Sequence, residues 1–130
     1  MVQRARQHVT VLIIDDDVRM LAVCRQILEY AGYNVLIAQH AAGAIDVFHD
    51  QHDTIDVVVV DWKMPDLSGD QVIDRILAID PEARIVFFTG YSVDEETSRR
   101  VEPKVKALLR KPFDGQQLLD AVQAALGPGD

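Results

Sequence analysis

Three uninterrupted apolar runs constrain the fold of this chain more than any other feature: VLII (Val11 to Ile14), VVVV (Val57 to Val60) and IVFF (Ile85 to Phe88). A strand with one wet face alternates apolar and polar residues. These runs do not, so both faces of each must be covered, as in a parallel sheet between two layers of helices. With their neighbours they predict strands at Val9 to Ile14, Ile55 to Val60 and Arg84 to Phe88. Two less apolar runs, Asn34 to Ala38 and Ala107 to Leu109, suit the edges of the same sheet.

The intervening segments show helical spacing. Met20, Cys24, Ile27, Leu28 and Ala31 form one apolar stripe, and Ala41, Ala44, Ile45 and Phe48 a second. Val72, Ile73, Ile76 and Leu77 form a third, and Leu118, Val122, Ala125 and Leu126 a last one that Asp114 is placed to cap. SVDEETSRRVEP is mostly polar and ends at Pro103, which predicts a short, solvent-washed helix of modest stability from Val93 to Val101. Strand and helix thus alternate along the chain. Right-handed crossovers then give a doubly wound α/β domain with a five-stranded parallel sheet and five helices. No internal repeat is visible, and MVQRARQ and GPGD look like unpacked ends, so residues 1–130 are expected to form a single domain with a core from about 9 to 126.

The formal charge of -8 argues against a nucleic-acid surface, which needs a basic stripe. No apolar run approaches the roughly 18 residues of a membrane span, and the start lacks a signal peptide, so the cytoplasm is the expected compartment. Cys24 is the chain's single cysteine and cannot form an internal disulfide.

In such folds ligands sit beyond the carboxyl ends of the strands, where the strand order reverses. The residues there are Asp15, Asp16 and Asp17 after the first strand, Asp61 after the third, Thr89 after the fourth, and Lys111 with Pro112 after the fifth. Carboxylates gathered at one edge repel one another unless a cation offsets them. Mg²⁺ suits hard oxygen donors and is typically held by one or two carboxylates together with a phosphate. A carboxylate can attack a phosphoryl group to give an acyl phosphate, and Asp61, after the most apolar strand, is the best placed nucleophile. Lys111 would neutralise charge and the Thr89 hydroxyl would bind a phosphoryl oxygen. Taken singly, an aspartate pair after a strand is a helix cap, Thr89 a turn hydroxyl and Lys111 a surface lysine. The conjunction at separate strand ends carries the argument. His8, His40, His49 and His52 show no ligand spacing.

Four blocks, VLIIDDDVRM, DVVVVDWKMPDLSG, IVFFTG and LLRKPF, resemble in order and spacing the signatures of bacterial response-regulator receiver domains, from about Val9 to Leu126. The resemblance implies the flavodoxin-like receiver fold and a phosphorelay function without turnover of an external substrate. It makes Asp15 and Asp16 the acidic pair, Asp61 the phosphoacceptor, Thr89 the switch hydroxyl and Lys111 the phosphate-binding lysine. It also implies that the Lys63 backbone carbonyl joins Asp15, Asp16 and Asp61 around Mg²⁺, that Lys111 to Pro112 is cis, and that Gly69 opens the third helix. Asp17 is expected to point away, toward the first helix. A histidine kinase or histidine phosphotransfer protein would be the donor, and an effector protein or domain the output. The chain shows no output domain of its own, which fits a free-standing regulator or a part of a longer protein.

Two departures bear on the output. The family places an aromatic residue three positions before the lysine, where this chain has Leu108. The segment VEPKVKA before the last strand is also unusual. Among alternatives, a haloacid-dehalogenase-like phosphatase would use Asp15 and Asp17, but Arg19 stands where Thr or Val belongs and Asp61 would have no role. A pseudo-receiver docking module would lack part of the acidic pair, acceptor and lysine set. A flavin domain would need hydroxyls and free amides where DDDVRM is acidic.

Overall fold

The computed structural model describes residues 9–90 and 94–127. Its strands are β1 (Thr10–Ile14), β2 (Asn34–Ala38), β3 (Val57–Asp61), β4 (Ile85–Thr89) and β5 (Ala107–Arg110). They alternate with helices α1 (Val18–Tyr30), α2 (Ala41–Gln51), α3 (Gly69–Ile79), α4 (Glu95–Val101) and α5 (Gly115–Leu126), and a 3₁₀ turn at Glu102–Lys104 follows α4. All strand pairs are parallel, in the order β2-β1-β3-β4-β5. The doubly wound, five-stranded architecture expected from the apolar runs is the one observed.

Alternation along each strand divides the core in two. Val11, Ile13, Val57, Val59, Val86 and Phe88 pack under α1 and α5. Leu12, Ile14, Val58, Val60, Ile85 and Phe87 pack under α2 and α3, with Val101 of α4. Runs without polar alternation are thus buried on both sides, and all five residues of β3 are buried. The strand bounds shift slightly from expectation: β1 begins at Thr10 rather than Val9, and β3 runs from Val57 to Asp61 rather than from Ile55 to Val60. Pairing decides these limits, because Val11 aligns with Val57 and Asp61 aligns with Phe88.

The helix ends follow from capping chemistry. Asp17 accepts from the backbone N–H groups of Arg19 and Met20 and starts α1. At its far end Gly32, at φ 102°, closes the helix with Tyr33 N–H donating to the Leu28 carbonyl at 3.0 Å. Asp114 and Gln117 form a capping box on α5. Helix α4 starts at Glu95 rather than at Val93, which lies outside the described residues, because Asp94 accepts from Thr97 N–H at 2.7 Å. It is less solvent-washed than its polar sequence suggests. Thr97 and Val101 are buried, Arg100 pairs with Asp70 of α3 at 2.9 Å, and Lys104 pairs with Asp74 at 2.8 Å.

Gly69 opens α3 hard against the end of β3. A Cβ there would lie 2.6 Å from the Asp61 carbonyl oxygen and 2.9 Å from the Phe87 ring and Trp62 Cα. Backbone cannot yield as a flexible side chain can, so Gly69→Ala should cost about 1–3 kcal/mol, the usual penalty of overpacking. Urea unfolding checks this, and an unchanged midpoint would show that the helix start can move.

Candidate functional site

The carboxyl ends of β1 and β3 are neighbours at the point where the strand order reverses. Asp15 follows Ile14 and Asp61 closes β3, and both side chains emerge on the sheet face covered by α1 and α5, the face of Ile13 and Val59. Asp15 is fully buried and Asp61 nearly so, whereas Asp16 is exposed. One carboxylate oxygen from each of the three can lie within 4.8 Å of the others. Lys111, just beyond β5, reaches back under this cluster. Its Nζ stands 3.0 Å from Asp15 Oδ2 and 3.1 Å from Asp61 Oδ1, and 5.3 Å from the centroid of the Phe88 ring. Asp15 Oδ1 accepts from Asp17 N–H at 2.9 Å, so both of its oxygens are engaged. Asp17 turns its own carboxylate onto α1 and away from the cluster.

The electrostatics follow from burial. Desolvation, then the Asp15 charge, push the Asp61 carboxyl up to about 6 despite the opposing pull of Lys111. Burial works against the Lys111 ammonium, but Asp61 and Asp15 together outweigh it and hold its pKa above the ordinary lysine value. Close by in the core, burial and then the Asp15 charge push the Cys24 thiol up to about 12. The site is therefore a carboxylate of raised pKa beside a fixed ammonium, with carboxylate oxygens in excess of the cation present. That donor set fits a hard divalent ion.

The remaining predicted residues sit around this centre. Thr89 ends β4 on the opposite sheet face, in register with Arg110. Lys63 lies in the loop after β3 with its side chain exposed, and the Lys111–Pro112 peptide is cis. Leu108 pairs in register with Phe87 and is 41% exposed. Local pattern did not reveal two further features. Asp66 accepts from Ala41 and Ala42 N–H across 25 and 24 residues of sequence, and the Arg100–Asp70 pair spans α3 and α4. PDLSG reads as turn chemistry and SRRV as surface, so neither partner was signalled.

The family model of the response regulator receiver domain matches residues 11–123. The chain belongs to the response regulator receiver domain family. A receiver domain protein from Clostridium thermocellum superposes with a TM-score of 0.85 at 30% identity, covering 91% of this receiver and 94% of that chain. A putative transcriptional regulator of Haloferax volcanii is 32% identical over 95% of the receiver, which spans 20% of that protein. The sporulation initiation phosphotransferase F of Bacillus subtilis is 26% identical over 89% of the receiver and 92% of its own length. Receivers are signalling domains that work with histidine kinases or phosphotransfer proteins and with effectors. The phosphatase alternative also loses its second aspartate, since Asp17 is committed to the α1 cap.

A raised carboxyl pKa lowers stability over a defined window. Between about pH 4 and pH 6 the unfolded chain releases the Asp61 proton before the folded one, so folding weakens as pH rises, and the full penalty stands above pH 6. Asp61→Asn should therefore stabilise the metal-free receiver by about 1–3 kcal/mol at neutral pH, with the gain fading toward pH 4. Thermal unfolding at both pH values tests this. A gain that does not depend on pH would assign it to packing.

Proposed function

We propose that the chain forms one cytoplasmic receiver domain, in which Asp61 takes a phosphoryl group from a phosphohistidine with Mg²⁺ and so switches an output. The observation that carries this is the Lys111 ammonium held within 3.1 Å of both Asp15 and Asp61. Among the described residues no helix is long and apolar enough to cross a membrane. The resemblance to a phosphotransferase over most of both chains supports a donor that is a histidine kinase or histidine phosphotransfer protein. A downstream effector would read the result, and the formal charge of -8 speaks against direct nucleic-acid binding.

In this reading an Asp61 carboxylate oxygen attacks phosphorus in line with the leaving nitrogen. The P–N bond breaks, the imidazole leaves with its electron pair and is protonated by solvent, and Asp61 becomes an acyl phosphate. Lys111 offsets charge on the phosphoryl oxygens, and the Thr89 hydroxyl donates to one of them. Asp15, Asp16, Asp61 and the Lys63 carbonyl would hold Mg²⁺, which supplies further charge neutralisation when bound. A phosphorylation-independent module would be expected to lack some of this set, and none is missing here.

Incubation with a small-molecule acyl phosphate and Mg²⁺ should add a single phosphoryl mass. Asp61→Asn, and the double change Asp15→Ala with Asp16→Ala, should abolish it while leaving the circular dichroism spectrum native. A mass shift retained in Asp61→Asn would overturn the acceptor assignment. The rate should fall at acid pH, because the attacking group must be ionised, and the fall should lie lower at saturating Mg²⁺ than at limiting Mg²⁺, because a bound cation favours the carboxylate.

The readout should also differ from the family pattern. Leu108 has no ring to move into space vacated by Thr89, whereas α4 buries few side chains and is tied to α3 by one partly exposed ion pair, Arg100 to Asp70. Binding of a beryllofluoride phosphoryl mimic should change amide shifts and hydrogen exchange over residues 94–101 more than at Leu108. Changes confined to β5 and α5 would contradict this.

A further inference from the structure

The loop from Trp62 to Ser68 joins the acceptor strand to α3. Its two ends are closed by Gly69 N–H donating to the Trp62 carbonyl at 2.7 Å. Near its start the Trp62 ring meets Phe87 edge-on and Met64 is buried. Farther along, Pro65 and Asp66 are exposed, and there the Asp66 carboxylate ties the loop to a different element. Its Oδ1 accepts from Ala41 N–H at 3.1 Å and its Oδ2 from Ala42 N–H at 3.0 Å.

This arrangement is unusual for α2. Its own N-cap residue, His40, makes no side-chain capping bond, although the position could be capped locally by a serine or aspartate. The first N–H groups of the helix are satisfied instead from the acceptor loop. A bidentate carboxylate fixes both distance and orientation, so the separation between the loop and α2 is set by Asp66.

We propose that Asp66 is a positioning residue for the cation: by clamping the acceptor loop onto α2, it holds the backbone of Lys63 where its carbonyl joins Asp15, Asp16 and Asp61. The inference rests on the receiver reading of the metal ligands and adds a residue that the resemblance does not assign. It differs from simple helix capping, because a cap can be moved to His40 while the clamp cannot.

Trp62, the sole tryptophan of the chain and the neighbour of Asp61, makes Mg²⁺ binding readable by fluorescence titration. The proteins to compare are wild type, Asp66→Ala, and Asp66→Ala combined with His40→Ser, each titrated well below its melting temperature and in high salt, where long-range charge effects are screened. Asp66→Ala should weaken Mg²⁺ binding by about tenfold, as outer-shell losses commonly do, and should lower the melting temperature. Adding His40→Ser should restore the melting temperature but not the affinity. Where it fails to restore stability, the affinity of the folded single variant decides. Wild-type affinity in Asp66→Ala, or affinity and stability restored together by His40→Ser, would overturn the proposal alone. Failure of the wild type to bind Mg²⁺ would overturn the metal reading and this proposal with it.

Discussion

The site depends on one ammonium placed between two buried carboxylates. Removing Asp15 and Asp61 from water is unfavourable, and their mutual repulsion adds to the cost. Lys111 offsets part of it from a strand that is not even adjacent, since β4 lies between β3 and β5. Its ammonium lies over the Phe88 ring, 5.3 Å from the centroid, so an apolar core residue supports a charged contact. The compensation is incomplete, which is why the Asp61 carboxyl stays raised and the cluster retains oxygen donors for a further cation. A fold that balanced these charges fully would be more stable and less reactive.

Much of this was legible from periodicity. Apolar runs without alternation required a covered parallel sheet, and such a sheet brings the ends of all its strands to one edge, so Asp15, Asp61, Thr89 and Lys111 could be grouped before any coordinates. Side-chain parity adds that Asp15, Asp61 and Lys111 share one face while Thr89 and Leu108 share the other. Illegible were contacts between elements whose local patterns are silent about one another. Asp66 looks like a turn residue and Arg100 like a surface arginine, and their partners lie 25 and 30 residues away. The start of α4 is blurred for a related reason: apolar spacing is too sparse there to fix the boundary, and the cap at Asp94 sets it at Glu95.

The two-faced layout also separates tasks. The carboxylates and lysine are seated over the core shared by α1 and α5, and Thr89 and Leu108 over the side shared by α3 and α4. A change at Asp61 can reach the other side at the strand ends, where Thr89 closes β4 beside it, or through backbone, because packed strands leave no channel for a side chain within the sheet. The Gly69 N–H bond to the Trp62 carbonyl is one such backbone route, and it leads directly into α3 and its ion pair with Arg100.

The fully buried Cys24 carries a practical consequence. Thiol chemistry proceeds through the thiolate, and a group sealed in the core with its pKa near 12 has almost none at neutral pH. Alkylating and maleimide reagents should pass the native chain by. A cysteine introduced on the surface, at an α4 position for instance, would then be the sole reactive handle, so spin or fluorescent labels can be placed without first removing the natural residue.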